Sequence, residues 1–176
     1  MMPIGPLMKE HRLIERMIAL MEKELGRLNA GEELHPGFID IAVDFIRTYA
    51  DRCHHGKEED ILFRELAKRP LSSEQSRTIR ELIEEHVYGR KTTAALVAAK
   101  ERHLQGDDQA FDAVARTLRD LVEFYPAHIE KEDKHFFLPC MEHFTRQEQD
   151  EMLQEFWEFD RALIHEKYAG IVGRLE

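Results

Sequence analysis

The chain has 176 residues, 43% hydrophobic and 34% charged, with 9 glycines and 6 prolines. That suits one domain with its own core and favours long helices over sheet or disorder. A formal charge of −10 without a basic patch argues against nucleic acid as a partner, and no apolar run approaches the roughly 20 residues that span a bilayer.

Residues 1–6 are too short and uncharged a stretch for a secretory signal, so a cytoplasmic protein is expected. Cys53 and Cys140 are too few for a disulfide framework and are expected as free thiols.

Five helical stretches follow one another. The first runs from about Leu7 to Leu28, with Leu13, Met17, Leu20, Met21, Leu25 and Leu28 at helical spacing, and ends at Asn29-Ala30-Gly31. The second starts at Pro36, which suits a first helical turn, and carries Phe38, Ile41, Phe45, Ile46 and Tyr49, then Ile61, Leu62 and Leu66, to a stop at Pro70. Ser72 with Gln75 reads as a capping box for the third, which runs to about Leu104 and stops at Gly106.

Asp107 or Asp108 caps the fourth, with Phe111, Val114, Leu118, Leu121 and Val122 as its apolar face. Pro126 removes one backbone donor there and predicts a kink or a split, with the helix resuming to Pro139. Thr145 with Glu148 is a second capping box, opening a fifth helix with Met152, Phe156, Phe159, Leu163, Tyr168 and Val172. No stretch alternates with period two. The expected fold is all-α, an up-down-up-down four-helix bundle with an additional C-terminal helix. Residues 1–176 read as one domain, with the bundle over about 7–140 and the last helix over about 145–175.

The residues with chemistry are spaced to match. His54 with Glu58, and His128 with Glu132, stand four apart, so each pair shares a helix face. Helices one and three offer His11 and His86. From His11 to His54 is 54 − 11 = 43 residues, and from His86 to His128 is 128 − 86 = 42. The surrounding text repeats as well: His54-x-x-Lys57-Glu58-Glu59 with Phe63, and His128-x-x-Lys131-Glu132-Asp133 with Phe137. One helical hairpin used twice brings four helices around one centre. Four imidazoles and two carboxylates suit iron, manganese or zinc better than calcium or magnesium, which prefer all-oxygen shells. Two carboxylates from different helices can bridge a metal pair, and six side chains leave positions open for a small ligand.

These segments resemble the hemerythrin-like proteins of the HHE cation-binding type. The likeness is carried by Glu10-His11-Arg12-Leu13-Ile14, by 54–63 (His54-His55-Gly56-Lys57-Glu58-Glu59 onward), by Glu85-His86-Val87-Tyr88-Gly89-Arg90, and by His128-Ile129-Glu130-Lys131-Glu132-Asp133 with Phe137-Leu138-Pro139. It spans roughly residues 7–140. It implies two non-haem, carboxylate-bridged iron ions and a small ligand such as oxygen, nitric oxide or peroxide. The family's functions range over ligand binding, sensing of ligands or iron, peroxide or nitric oxide turnover, and repair of iron centres. A zinc- or manganese-binding interaction module is the non-iron alternative.

The oxygen carriers place a second His four residues after the one matching His86, and here that residue is Arg90. His55 with Glu59 repeats the spacing of His54 with Glu58, making His55 and Glu59 further candidate ligands, with His55 otherwise an outer partner. Asp133 matches the carboxylate of the oxygen carriers, but Glu132 fits the internal repeat and is preferred.

Of the other residues singled out, Tyr49 and Tyr125 precede the ligand pairs and are candidates for a hydrogen bond to a bound ligand, though packing is the commoner role of such a Tyr. Glu59, Glu84, Glu85, Glu130 and Lys131 read as solvated faces or outer partners. Lys57 reads as a helical salt-bridge residue, and Lys57→Ala is expected to leave metal content and fold nearly intact. Cys53 reads as a small buried hydrophobe; His35, His103, His143 and His165 as non-ligands. Phe156-Trp157-Phe159 reads as core or the contact of a possible homodimer.

Overall fold

The computed structural model describes residues 1–173; residues 174–176, the predicted end of the last helix, lie outside the described residues, as does the side chain of Tyr168. The described residues contain helices and no strand. Helix α1 covers Ile4–Asn29. The second long helix begins as α2, Pro36–Phe45, winds as π-helix over Ile46–His55 and Glu58–Phe63, and closes with α3, Arg64–Leu66. Helix α4 is Ser73–Leu104 and α5 is Ala110–Lys131; the fourth long helix continues as π-helix over Glu132–Phe136 and ends in α6, Phe137–Met141. Helix α7 follows at Arg146–Gly173.

Both capping boxes form. Ser72 Oγ accepts from the Gln75 amide while the Gln75 side chain accepts from Ser72 N–H. Thr145 and Glu148 exchange the same pair of bonds. Helix α5 runs unbroken through Pro126, so of the kink or split expected there the split does not occur. One missing donor is a small loss beside the packing of α5 against α1 and α4 along its length. The departure from α geometry comes later, at Glu132. π turns are rare and concentrate at functional sites. Here they carry His54, His55, Glu58 and Glu132.

The four long helices close a ring. Helix α1 packs on α5 and on the 46–55 segment, and that segment packs on α4, which packs on α5. Helix α7 lies outside, against the two π segments of the second helix. The buried face of α1 is Leu7, His11, Ile14, Ile18, Met21, Leu25 and Leu28. Leu13, Leu20 and Ile41, read as core positions from spacing alone, are exposed.

The core divides into two apolar clusters. One holds Ile14, Ile18, Met21, Ala50, Leu96, Leu121 and Tyr125; the other holds Leu7, Ile61, Leu82, Phe136, Phe137 and, from α7, Phe156. His11 lies between Leu7 and Ile14 in the chain, His54 between Ala50 and Ile61, and His128 between Tyr125 and Phe136. A polar layer is thus sealed on both sides by hydrocarbon. Trp157, by contrast, stands exposed.

Candidate metal centre

The layer contains seven fully buried polar side chains: His11, His54, His55, Glu58, His86, His128 and Glu132. Nitrogen and oxygen atoms of His11, His54, Glu58 and Glu132 all lie within 4.8 Å of one another, as do nitrogens of His55, His86 and His128. The two carboxylates join the groups. Glu58 turns Oε1 to His54 Nε2 (3.5 Å) and Oε2 to His86 Nε2 (3.4 Å). Glu132 turns Oε2 to His11 Nε2 (3.2 Å) and Oε1 to His128 Nε2 (3.4 Å).

Buried polar atoms are nearly always paired, because an unpaired one costs about 1–3 kcal/mol. Eleven buried side-chain nitrogens and oxygens lack a hydrogen-bond partner among the described residues, and nine of them belong to these seven side chains. They include both oxygens of Glu58 and of Glu132 and the Nε2 of His11, His54, His86 and His128. Burial pushes the Glu58 and Glu132 carboxyls well above their ordinary range. Burial pushes His54 and His55 well below theirs, and His128 down to about 4. Imidazole nitrogens and carboxylate oxygens that converge in one buried layer are a donor set that fits metal ions.

The opposite edge of each of four rings is held. His54 Nδ1 lies 2.9 Å from Glu10 Oε2, His86 Nδ1 2.7 Å from Glu59 Oε1, His128 Nδ1 2.7 Å from Glu85 Oε2, and His11 Nδ1 2.7 Å from Asp133 Oδ1. An ionised carboxylate only accepts, so each Nδ1 donates and each Nε2 is turned to the centre, where a neutral ring offers its lone pair. The carboxylates run in a cycle: helix one holds the ring of helix two, two holds three, three holds four, and four holds one.

Four cations sit behind them. Arg12 pairs with Asp133, Lys57 with Glu10, Arg90 with Glu59 and Lys131 with Glu85. Burial raises Glu59 and Glu85, but the His86 and His128 hydrogen bonds, with those of Arg90 and Lys131, outweigh it and hold both below the ordinary carboxylate range.

The flanking residues take distinct places around this ring. Asp133 faces His11 from outside, and Glu132 is the carboxylate that faces both groups. Lys57 is fully buried and also reaches Asp160 of α7 at 2.8 Å. Burial works against its charge, but Glu10 and Asp160 outweigh that and raise its pKa. It is therefore a buried three-way ion pair and not a surface salt bridge, because α7 covers this side of the bundle. Cys53 does not face the centre; its Sγ lies 3.2 Å from Asp160 Oδ1. Glu10, Cys53 and Asp160 converge too, but around the Lys57 ammonium, which already supplies the positive charge.

Tyr125 is buried beside His55 and His86, and burial raises its pKa, keeping the hydroxyl protonated. Tyr49 stacks on Phe45, packing at the rim. His35 pairs with Glu24, His103 sits edgewise to Phe111 and His143 reaches Gln75, all away from the centre. Sequence reading had no role for Glu10 or Asp160. The signal for Glu10 was present: an acidic residue flanks a ligand-spaced residue in all four motifs, Glu10-His11, Glu58-Glu59, Glu85-His86 and Glu132-Asp133.

The chain matches the Hemerythrin HHE cation binding domain over residues 2–138. It belongs to that family. The match covers the four-helix bundle and stops short of α7. Among curated proteins, the uncharacterized protein Rv1995 of Mycobacterium tuberculosis (strain H37Rv) is 23% identical over 127 residues, 72% of this chain and 49% of its own length. Uncharacterized protein Mb2018 of Mycobacterium bovis aligns with the same figures. The chain thus spans about half the length of the curated relatives it matches. No solved structure matches it. No helix among the described residues is long and apolar enough to cross a membrane.

Proposed function

We propose that this HHE domain holds two non-haem iron ions. His11 and His54 hold one, His86 and His128 the other, and Glu58 and Glu132 bridge them. His55 is the added ligand on the second side, offsetting the imidazole that Arg90 does not supply. The observation that carries this reading is the nine unpartnered atoms, which among the described residues include all four oxygens of Glu58 and Glu132. Mixed imidazole and carboxylate ligation with bridging carboxylates in a bundle core is the donor pattern of di-iron proteins. With seven side chains for two metals, coordination is left free, so the centre binds or senses a small ligand such as oxygen or nitric oxide. Redox and ligand-binding chemistry belong to the iron; the protein's part is to fix the tautomers, seal the layer from bulk water and set which ligands enter.

Elemental analysis with an absorption spectrum on protein from iron-supplemented cells tests this. About two irons per chain and the near-ultraviolet bands of an oxo-bridged ferric pair are expected. Tight zinc alone, or no iron after anaerobic reconstitution, overturns the reading. Glu58→Ala and His54→Ala each remove a donor and are expected to lower iron to one per chain or less. Wild-type stoichiometry in both variants would remove them from the ligand set.

A further inference from the structure

Two cavities share Asp51 and Arg90. The inner one, about 110 Å³, is bordered by His55, His86, Tyr125, Thr93, Asp51 and Arg90, with the exposed Arg47 at its rim. The outer one, about 380 Å³, is a cleft between the second helix and α7, bordered by Gly56, Glu59, Phe159, Ala162, Asp51 and Arg90. The Arg90 side chain reaches across from α4, with Nε 2.7 Å from Asp51 Oδ1 and Nη2 2.6 Å from Glu59 Oε1. It therefore stands as a partition, held by two ion pairs and still 38% exposed on its outer side. The other face of the layer is closed by packing: the Phe137 ring stacks on His11 at 5.6 Å.

We infer that the inner chamber is the ligand site of the centre, and that ligands reach it from the cleft beneath α7 past Arg90. The inference rests on the di-iron reading. Chamber size sets the class of ligand: at roughly 30 Å³ per water it has room for between three and four, which favours molecules of two or three heavy atoms over organic substrates. Its polar lining is the Tyr125 hydroxyl, the Thr93 hydroxyl, whose proton goes to Gly89 O, the imidazole edges and, at the rim, Arg47, Asp51 and Arg90. That suits a small ligand able to accept one hydrogen bond. Helix α7, beyond the family match, forms the outer wall, so this route depends on a segment that the bundle alone lacks. Exposed ion pairs are weak and screened by salt, so the Arg90 partition can swing aside, and that movement limits entry.

Stopped-flow binding of azide to the ferric, iron-loaded full chain tests the route, followed by the azide absorption band and with iron content measured on each sample. Arg90→Ala joins the cavities and is expected to raise the azide association rate at least about tenfold. Ala162→Trp fills the cleft from α7, away from every proposed ligand, and is expected to lower it by a similar factor with iron unchanged. Rates equal to wild type in Ala162→Trp at full iron content would overturn the route, whatever Arg90→Ala does to metal binding. An iron-free wild type, or one without an azide band, would instead overturn the centre itself.

Discussion

Lys57 and Lys131 occupy the same place in the two copies of the hairpin, yet their surroundings differ. Lys57 is fully buried between Glu10 and Asp160, whereas Lys131 is 32% exposed beside Glu81 and Glu85. Removing one partner of a buried ion group leaves uncompensated charge, at a cost of roughly 3 kcal/mol, while an exposed pair is worth about 1 kcal/mol or less. Lys57→Met is therefore expected to lower stability clearly more than Lys131→Met in paired urea titrations. Equal losses would show that α7 does not seal the Lys57 side.

The two thiols make a similar point. Burial pushes both Cys53 and Cys140 up to about 12. The thiolate is the reactive form, so at pH 8 native alkylation by iodoacetamide is expected to run about a thousandfold slower than for an exposed cysteine of pKa about 8.5. Rapid modification of either thiol in the folded protein would contradict that burial.

At the scale of elements, helix ends follow short-range rules and were legible. Ser72 with Gln75 and Thr145 with Glu148 start α4 and α7 where their spacing predicts. The second cap also carries charge. The Thr145 backbone amide, with Arg69 at 2.5 Å, holds Glu148 down to about 2. A carboxylate depressed on folding stabilises above its unfolded pKa of about 4.3, and that contribution fades as pH falls toward about 2. Glu148→Ala is expected to lower the melting temperature at neutral pH, and the gap to wild type should close between about pH 4 and pH 2. A gap independent of pH would assign the cap no ionic part.

Other element properties were not local. Pro126 is an interior breaker by rule, yet α5 passes through it, because contacts with two neighbouring helices outweigh one lost hydrogen bond. The π turns that place His54, Glu58 and Glu132 carry no composition signal in the sequence. Gly56, between His55 and Lys57, is explained only by α7: a Cβ there would meet Phe159 Cζ at 2.7 Å.

For the molecule as a whole, the centre and the fold share one layer. Without metal, the layer holds two buried carboxylates whose ionisation burial opposes, between apolar clusters that cannot compensate them. A ligand that binds only the folded state adds about 4 kcal/mol at a thousand times its dissociation constant, which for a chain of this size is a rise of roughly 10 °C in melting temperature. Calorimetry of iron-loaded and metal-free protein is expected to show that gap. Coincident melting curves would mean the layer is stable by itself and the donor atoms find partners elsewhere.

The sequence by itself determined the long helices, the two capping boxes, the duplicated hairpin and the His and Glu pairs that share a helix face, because each is written in spacing along the chain. Only the tertiary structure decided that Glu132 faces the centre while Asp133 holds His11, that each helix steadies the imidazole of the next, that Lys57 is sealed by Asp160, and that Arg90 divides a chamber from a cleft. Those relations run between helices. They depend on rotation and axial register, which the packing of the whole core sets and no single segment contains.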